Sequence, residues 1–487
     1  MWAFFKKNFF LVLILFLTFL LRIPSLFEPY WYGDEGIYLT LGMGVKNGLI
    51  LYKDIFDNKP PMIYLLAAFA GNLFWLRFFL LFSVIFSLIL FEKLTKIFLF
   101  KNSFGQKISL VIFFLLINIP LIEGNIANAE IFQILPTLAV AYLLFRNKEP
   151  TDKELFFAGF FSSITILFKI PAVLIFFSFI LFPLFLILLG QKNLSKIKSW
   201  LFYFFSGLIL PIIPLFLYFI YHHCFQEFFK ATFLLNLGYL SSWKTGSHQF
   251  SLLKSDLLQR FFLFGLVLIF LFSQTKRFSS KWDFFLLGWF FSSLLSALLS
   301  NRPYAHYLIQ IVPPFCFLVG RLIDANKFSR SLIILAIFLL SFITIKNKYW
   351  VYSIFPYYQN FFNFVQGKKT KTEYFSFFDR KVPSIYQVSL YLKTHTRTTE
   401  KIFVWADEPC IYPLSQRLPF HRFVVAYHII DFKKTGEVEK KLFQNPPAAI
   451  VLERTKKESF PQLETILNTK YYLAQNISDF EIYRLQK

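Results

Sequence analysis

Long apolar runs recur along this chain and constrain its fold more than any other feature. A helix needs about 17 to 25 predominantly apolar residues to cross the hydrocarbon layer of a bilayer. Runs of about this length, or somewhat shorter, follow one another from residue 8 to residue 346. Hydrophobic residues make up 56% of the chain and 71 of its 487 residues are Phe, which excludes a soluble domain with a charged surface. We therefore expect an all-α polytopic membrane protein of about eleven transmembrane helices.

The first apolar run, Asn8 to Phe27, follows Lys6 and Lys7 and in this respect is similar to a secretory signal peptide. The run lacks a small-residue cleavage site, however, and it leads directly into a charged loop that precedes further spans. We expect it to remain as the first transmembrane helix, with the N-terminus in the cytoplasm. The expected spans are about Asn8–Phe27, Phe78–Phe91, Ile108–Ile122, Ile131–Phe145, Leu155–Phe168, Ala172–Leu189, Leu201–Tyr221, Leu257–Ser273, Asp283–Leu299, Tyr307–Gly320 and Ser331–Ile345.

The formal net charge of +23 would indicate a nucleic-acid partner in a soluble protein. Here the basic residues cluster in short connections between apolar runs, as the positive-inside rule requires of cytoplasmic loops. We therefore expect no nucleic-acid partner, and we predict a multi-pass protein of the cell (inner or plasma) membrane. The clusters are Lys93, Lys96, Lys101 and Lys107; Lys192, Lys196 and Lys198; and Lys276, Arg277 and Lys281.

The alternation of spans from a cytoplasmic N-terminus predicts external loops at residues 28–77, 123–130 and 222–256. Within the first loop, Pro61 to Phe74 is apolar but too short to span, and it predicts a helix at the membrane surface. The transmembrane domain is expected to comprise residues 1–345. The three cysteines are far apart in the sequence and indicate neither a disulfide framework nor a zinc site.

Residues 346–487 are much less apolar and predict a small extracytoplasmic α/β domain at the C-terminus. Its strands and helices are indicated by alternating and helical apolar patterns, respectively. Strands are expected at Lys401–Trp405, Ala449–Leu452, Tyr471–Gln475 and Glu481–Leu485, and helices at Ser384–Thr394, Thr435–Phe443 and Phe460–Asn468.

Two adjacent carboxylates, Asp34 and Glu35, directly follow the first span and are flanked by glycines and aromatic residues. Such an acid could serve as a general base for an acceptor hydroxyl while Tyr38 contacts a sugar ring. The alternative is a capping acid at the start of a short helix. Further along the same loop, Lys59 precedes Pro60 and Pro61, which fix the backbone. Its ammonium could neutralise a lipid phosphate, or it could be an ordinary interfacial lysine.

Two further expected external segments carry ionisable residues. Glu130 follows Glu123 in an acidic turn, where a second carboxylate could orient an acceptor or share a divalent cation, unless it is a solvated loop acid. Arg302, Tyr304 and His306 lie before the tenth span, where the arginine could bind a phosphate through two hydrogen bonds and the histidine could donate another. A lone histidine at a helix start is more often structural.

These clusters, taken in order, resemble the GT-C superfamily of polytopic glycosyltransferases. The likeness is to its bacterial branch, similar to dolichyl-phosphate-mannose protein mannosyltransferases and the aminoarabinose transferase of lipid A. It covers Phe9 to about Leu318 in layout. The matching motifs are Asp34-Glu35 with Tyr38, Lys59-Pro60-Pro61, Asn128-Ala129-Glu130, and the turn Phe168-Lys169-Ile170-Pro171 after the fifth span.

The resemblance implies inverting transfer of a sugar from a polyprenyl-phosphate donor to a hydroxyl acceptor in a protein, a lipid or an envelope glycan. It implies that the first acid, Asp34, is the catalytic carboxylate and that Lys59 binds the polyprenyl phosphate. From the chemistry of the other residues we predict that Glu35 and Glu130 are also catalytic, that Lys169, Arg302 and His306 bind the donor phosphate, and that Tyr38 and Tyr304 contact the substrate. A divalent metal could bind through Asp34 and Glu130, although nothing in the spacing requires a cofactor.

Two other classes of function compete with this interpretation. A transporter or flippase of lipid-linked sugars should have an internal repeat and charged or broken helices at the bilayer midplane, whereas the polar residues here gather at the expected outer edge. A noncatalytic scaffold that binds envelope glycans would not need the acidic and basic site residues that the chain retains. An oligosaccharyltransferase is disfavoured because the C-terminal region contains no Trp-Trp-Asp motif.

Overall fold

The structure is a computed structural model that describes residues 2–99, 102–188, 195–236, 256–299, 302–349, 352–455 and 460–486. Helices dominate it, and the fold class predicted from the apolar runs is confirmed. The chain divides into two compact units. We call Met1–Ile23, Phe79–Tyr221 and Thr232–Ile354 the helical unit, and Pro24–Phe78, His222–Ala231 and Phe355–Lys487 the α/β unit.

The helical unit consists of α-helices joined by short 3-10 segments. Its first and second helices each extend into the α/β unit. The helices are Trp2–Leu26, Leu73–Phe98, Ser103–Asn118, Ala129–Phe132, Ile134–Phe145, Asp152–Phe168, Ile175–Leu188, Ser195–Ile209, Ile212–Tyr221, Asp256–Ser273, Lys281–Leu298, Val312–Arg321 and Lys327–Lys346, and the 3-10 segments are Pro120–Ile122, Ile170–Leu174, Thr275–Arg277 and Ala305–Ile311.

Each expected span coincides with one or two of these helices, but not all of them are long enough to cross a bilayer unbroken. Within the described ranges, five helical stretches are long and apolar enough: Asn8–Leu26, Leu73–Phe98, Ile170–Ile187, Ile197–Tyr221 and Lys327–Lys346. A multi-pass membrane fold is therefore confirmed, while the count of eleven and the side on which each loop lies stay predictions. Several breaks occur at prolines, including Pro120 and Pro171, because proline lacks the N–H that an α-helix requires.

Glycines allow two helices of the helical unit to approach very closely. A Cβ atom added at Gly159 would overlap the carbonyl oxygen of Phe204, and one added at Gly207 would overlap that of Phe156. Small residues at helix interfaces let backbones meet in this way, which is how membrane helices gain packing contacts. The pair Asp152–Phe168 and Ser195–Ile209 is thus fixed by backbone contact.

The α/β unit carries a four-stranded sheet in the order β1-β2-β4-β3. Its strands are β1 (Ile402–Trp405), β2 (Ala449–Glu453), β3 (Tyr471–Ile477) and β4 (Phe480–Leu485). β1 pairs with β2 in parallel, whereas β4 is antiparallel to both β2 and β3. The four strands and three helices expected in this region are all present. The helices of the unit are Gly33–Lys46, Met62–Ala70, Phe225–Phe229, Ile354–Val365, Lys371–Ser376, Val382–His395, Ile411–Ser415, Ala426–Asp431, Thr435–Gln444 and Pro461–Lys470.

The first expected external loop packs onto the C-terminal segment inside the α/β unit. The Thr40 hydroxyl donates a hydrogen bond to the carbonyl oxygen of Pro409 at 3.0 Å, and the Phe56 amide donates one to the Arg422 carbonyl at 2.8 Å. The compact units are therefore assembled from distant segments of the chain. The boundary at residue 346 concerns which part lies in the membrane, and it stays a prediction.

Candidate functional site

The helix Gly33–Lys46 presents the acidic pair in its first turn, where carboxylates interact favourably with the helix dipole. The helix begins at Gly33, and its N-cap residue is Tyr32. Asp34 is therefore inside the helix rather than at the capping position. Its Oδ2 accepts a hydrogen bond from the Tyr38 hydroxyl, one turn later, at 3.0 Å. The sequence spacing of these two residues thus places them in contact on one helix face.

Lys59 lies beside this acid. Its Nζ is 3.4 Å from Asp34 Oδ2 and 3.7 Å from Asp57 Oδ2, and only 18% of the side chain is exposed. The ammonium also lies 5.2 Å from the ring centroid of Tyr38. Lys59 thus lies between two carboxylates and brings together Asp34 and Tyr38, which the sequence predicted for the same site, and Asp57, which it did not.

Two tyrosines fix the backbone of Lys59. The Tyr52 hydroxyl donates to the Lys59 carbonyl at 2.8 Å, and the Lys59 amide donates to the Tyr64 hydroxyl at 3.2 Å. The Tyr64 hydroxyl in turn donates to Asp57 Oδ2 at 2.6 Å. Pro60 and Pro61 follow, and the next helix begins at Met62. Lysine, acid and tyrosines therefore form one hydrogen-bonded group.

Glu35 has a different partner from Asp34. Both of its carboxylate oxygens accept from the Arg77 guanidinium, at 2.8 Å and 2.6 Å. The same guanidinium contacts Glu28 at 2.9 Å, and all three side chains are almost completely buried. A buried guanidinium held by two carboxylates stabilises the arrangement of the segments that carry them. These contacts favour a positioning role for Glu35, whose predicted catalytic role stays a prediction.

Sequence reasoning did not single out two members of this cluster, Asp57 and His428. His428 Nε2 lies 3.6 Å from Asp57 Oδ1. Burial lowers the pKa of His428 to about 4, against the opposing effect of Asp57, so the imidazole is neutral at pH 7 and the contact is not an ion pair. Asp57 could have been found from its position two residues before Lys59. His428 carries no such sequence signature, because it comes from a distant helix, Ala426–Asp431.

A second cluster lies in the helical unit and joins residues from three predicted motifs. Lys169 is hydrogen-bonded to Glu130 Oε1, and His306 Nε2 is 3.8 Å from the same oxygen. On its other side, His306 Nδ1 lies 2.6 Å from Glu123 Oε2. Two carboxylates and two basic side chains thus alternate in one buried row. The other oxygen of Glu130, Oε2, is buried and has no hydrogen-bond partner among the residues that the structure describes.

Local backbone breaks present these side chains. Lys169 caps the end of the helix Asp152–Phe168, and its ammonium lies 3.7 Å from the ring centroid of Tyr307. Tyr304 is 38% exposed and its ring stacks on that of His306, with centroids 5.5 Å apart. Arg302 is partly buried two residues before Tyr304. Lys169, Glu130 and His306 are therefore placed at helix ends or in a 3-10 turn, whereas Arg302 lies in the irregular segment that precedes this turn.

The predicted acids do not form an evident metal centre. Asp34 lies against Lys59, and Glu130 lies against Lys169, so a divalent cation would compete with an ammonium at either carboxylate. Across the part of the chain that the structure describes, no group of three His, Cys, Asp or Glu side chains is arranged to hold a metal ion. The divalent metal stays a hypothesis.

Comparison with solved structures decides the fold. Two crystal structures of ArnT from Cupriavidus metallidurans, one bound to undecaprenyl phosphate and one in the apo state, are similar to this protein. Each superposition covers 98% of this chain and 98% of the ArnT chain. Their TM-scores are 0.60 and 0.58, at 11% sequence identity in both cases. The chain has the GT-C fold. The likeness inferred from the order of the motifs is thereby confirmed at the level of the fold.

Sequence comparison adds a match to the C-terminal part of this chain. Residues 385–486 match the family described as "Putative competence-induced protein Ccs4 C-terminal domain". This segment contains all four strands of the sheet together with His428. Among curated proteins, none matches the sequence.

Proposed function

We propose that this GT-C protein is a glycosyltransferase that moves a sugar from a polyprenyl-phosphate donor to a hydroxyl acceptor. The observation that carries the proposal is the placement of Lys59 Nζ 3.4 Å from Asp34 Oδ2, with the Tyr38 hydroxyl on the same oxygen. In such a reaction a carboxylate takes the proton of the acceptor, and a nearby cation stabilises the departing phosphate. Asp34 and the partly buried Lys59 are suited to these two tasks. The undecaprenyl phosphate bound by ArnT supports the class of donor.

In the proposed reaction, Asp34 accepts the proton of the acceptor hydroxyl as its oxygen attacks the anomeric carbon. The new C–O bond forms while the bond from that carbon to the phosphate oxygen breaks, and the configuration inverts. Polyprenyl phosphate leaves with the bonding electron pair. Lys59 stabilises the negative charge that develops on the departing phosphate. This electrostatic interaction is stronger in a partly buried site than in water. Tyr38 holds Asp34 through its hydrogen bond and offers its ring to a sugar.

The remaining predicted residues take supporting roles in the proposal. Glu35, bound by Arg77, fixes the helix that carries Asp34. In the second cluster, Lys169, Arg302 and His306 are assigned to the donor phosphate and Tyr304 to a sugar. Glu130 keeps its predicted catalytic role, for which its buried Oε2 offers a hydrogen-bond acceptor. Arg302 is assigned because a guanidinium suits a phosphate geometrically.

The proposal also places the protein in the cell membrane, with the N-terminus in the cytoplasm and residues 346–487 outside. This orientation rests on the basic connections between spans. An extracytoplasmic site suits a donor whose sugar is carried by a membrane lipid and an acceptor in the cell envelope. Among the described residues, we find no observation that favours a transporter or flippase of lipid-linked sugars.

Transfer in proteoliposomes tests this proposal. The purified protein would be supplied with a panel of radiolabelled polyprenyl-phosphate sugars and an envelope extract, and compared with Asp34→Asn. We expect transfer from one donor and a loss of about 100-fold or more in the variant, the usual contribution of a general base. Asp379→Asn, at an exposed position of the α/β unit, is the matched control. Undiminished transfer by Asp34→Asn would exclude Asp34 as the base, and no transfer from any donor would overturn the proposed function.

A further inference from the structure

A basic cavity of about 490 Å³ lies in the α/β unit, lined by residues that the proposed reaction does not use. Residues 49–54 of the first loop form one side, and residues 419–422 with the end of the helix Thr435–Gln444 form the other. Volumes of this size are typical of sites for small ligands. The cavity therefore has room for a ligand group of its own.

The lining of this cavity is strongly positive. Two acidic side chains, Asp54 and Glu437, face five basic ones, which leaves a formal balance of three positive charges. A concave surface lined by one sign of charge concentrates ions of the opposite sign. The five basic side chains are Lys53, Lys401, Arg422, Lys440 and Lys441.

Glu437, one of the two acids of the cavity, contacts several basic side chains. Glu437 lies 3.0 Å from Arg422, 3.5 Å from Lys434 and 3.5 Å from His421. Burial and the nearby Lys441 lower the pKa of His421 to about 4, so His421 is neutral at pH 7 and does not add to the positive charge. Glu437, shared among these partners, and Asp54 together compensate the five basic side chains of the cavity only in part.

The lysines of the cavity repel one another. Burial, with the charge of Lys401 next, lowers the pKa of Lys441, and Arg422 acts in the same direction. Holding like charges together has a cost that a bound anion would offset through charge-assisted hydrogen bonds. The cavity also offers neutral contacts, because the side-chain amides of Gln444 and Asn445 line it beside the Phe420 ring, and Lys441 lies 5.2 Å from that ring centroid.

We propose that this cavity binds the phosphate groups of a phosphate-bearing glycan. Lysines and an arginine would hold the phosphates, while the amides and the aromatic ring would contact sugar hydroxyls and a sugar face. A glycan is favoured over a membrane surface because the cationic groups line a concave cavity that includes amides, rather than a flat basic face. The inference concerns a binding site beyond the proposed reaction.

Binding of a soluble glycerol-phosphate oligomer to the full-length protein in neutral detergent tests the inference without any donor. The variant is Lys401→Gln/Lys441→Gln, and the matched control is Lys393→Gln/Arg397→Gln, which removes the same charge from exposed positions outside the cavity. We expect the Kd of the variant to rise by about 10-fold or more, since charge-assisted hydrogen bonds to phosphate are lost, while the control changes by less than about 2-fold, as expected of exposed charges. Lys440→Glu, a charge reversal at an exposed position, provides a second variant should the first fail to fold.

Each outcome decides the inference. Equal loss of binding in the variant and the control would overturn it, as would binding of inorganic phosphate with the same affinity as the oligomer. Preference for vesicles of anionic lipid over the oligomer would overturn it in favour of a membrane surface. Because binding is measured without donor, oligomer binding that depends on the cavity would stand even if no sugar transfer occurred, so failure of the proposed function would be recognised separately.

Discussion

The Arg77 guanidinium binds both carboxylate oxygens of Glu35, at 2.8 Å and 2.6 Å, while the neighbouring acid Asp34 contacts Lys59. Two adjacent carboxylates of one helix turn thus have different environments. Glu35 is buried with a permanent cation, whereas the side chain of Asp34 is 26% exposed. Asp34 is the more exposed of the two, which is why it is the one assigned to the proposed role of general base.

Removal of Arg77 should destabilise the protein rather than change its chemistry directly. Arg77→Gln leaves Glu28 and Glu35 buried without their cation, and breaking such a buried ion pair typically costs about 3–5 kcal/mol. Glu35→Gln should also lower the unfolding temperature in detergent, by a smaller amount because Glu28 remains. Asp34→Asn is the control and should leave that temperature nearly unchanged. An equal loss of stability in Asp34→Asn would contradict the division of roles.

Lys59 should be needed for transfer in a way that depends on its charge. We expect Lys59→Gln to reduce the transfer rate by about 100-fold or more, the size of effect seen when a group that stabilises developing charge is removed. Lys59→Arg retains the charge but not the compact ammonium, so it should restore part of the rate. Lys46→Gln is the control, because Lys46 lies at the exposed end of the helix Gly33–Lys46 that carries Asp34. This variant should transfer normally. A fully active Lys59→Gln variant would exclude a role in charge stabilisation.

Glu408 should make the stability of the protein depend on pH. Burial, assisted by Glu453, Asp379 and Asp407, raises the pKa of Glu408 to about 8 against the opposing effect of Lys381. The folded protein therefore holds a proton that the unfolded chain releases near pH 4.5, so the stability contribution is complete below about pH 4.5, falls as the pH rises, and is lost by about pH 8.

Thermal unfolding between pH 5 and pH 9 would show this effect. The wild type should lose stability relative to Glu408→Gln as the pH rises from 5 to about 8, by at most about 1.4 kcal/mol for each pH unit, and the two profiles should become parallel above about pH 8. Profiles of the two proteins that are parallel below about pH 8 as well would contradict the raised pKa. Glu408 is close to the candidate site in the chain's contacts, because the carbonyl oxygen of the next residue, Pro409, accepts a hydrogen bond from Thr40. Thr40 belongs to the helix Gly33–Lys46, which also carries Asp34.

Gly42 should be intolerant of any side chain. A Cβ atom there would lie 2.5 Å from the Ala68 amide nitrogen and 2.7 Å from the Ala67 carbonyl carbon, and backbone atoms cannot give way as the end of a side chain can. We expect Gly42→Ala to cost about 1–3 kcal/mol, the usual range for overpacking. Gly33→Ala in the same helix, where nothing lies within 4 Å of the added atom, should be neutral. Equal unfolding temperatures for the two variants would contradict this prediction, because they would show that the helices Gly33–Lys46 and Met62–Ala70 can move apart to admit the methyl group.

The sequence predicted local features of the site better than its contacts. Asp34, Glu35 and Tyr38 were selected from one short motif, and the structure shows that Asp34 and Tyr38, four residues apart, share a helix face. Lys59 was selected from the two prolines after it. The partners Asp57 and His428 were missed, as was the way that Arg77 separates Glu35 from Asp34, because such pairings leave no periodic pattern in the sequence.

The sequence by itself determined that this chain is a membrane protein, and it indicated a small sheet at its C-terminus. Apolar length suffices for the first conclusion because a membrane helix satisfies its own backbone hydrogen bonds. Alternation over a few residues suffices for the second, since it reports one buried face of a strand. Only the tertiary structure decided that the first loop packs with residues 355–487, and that Lys169, Glu130 and His306 form one row. Those arrangements depend on burial and charge pairing between distant segments, which local sequence does not encode.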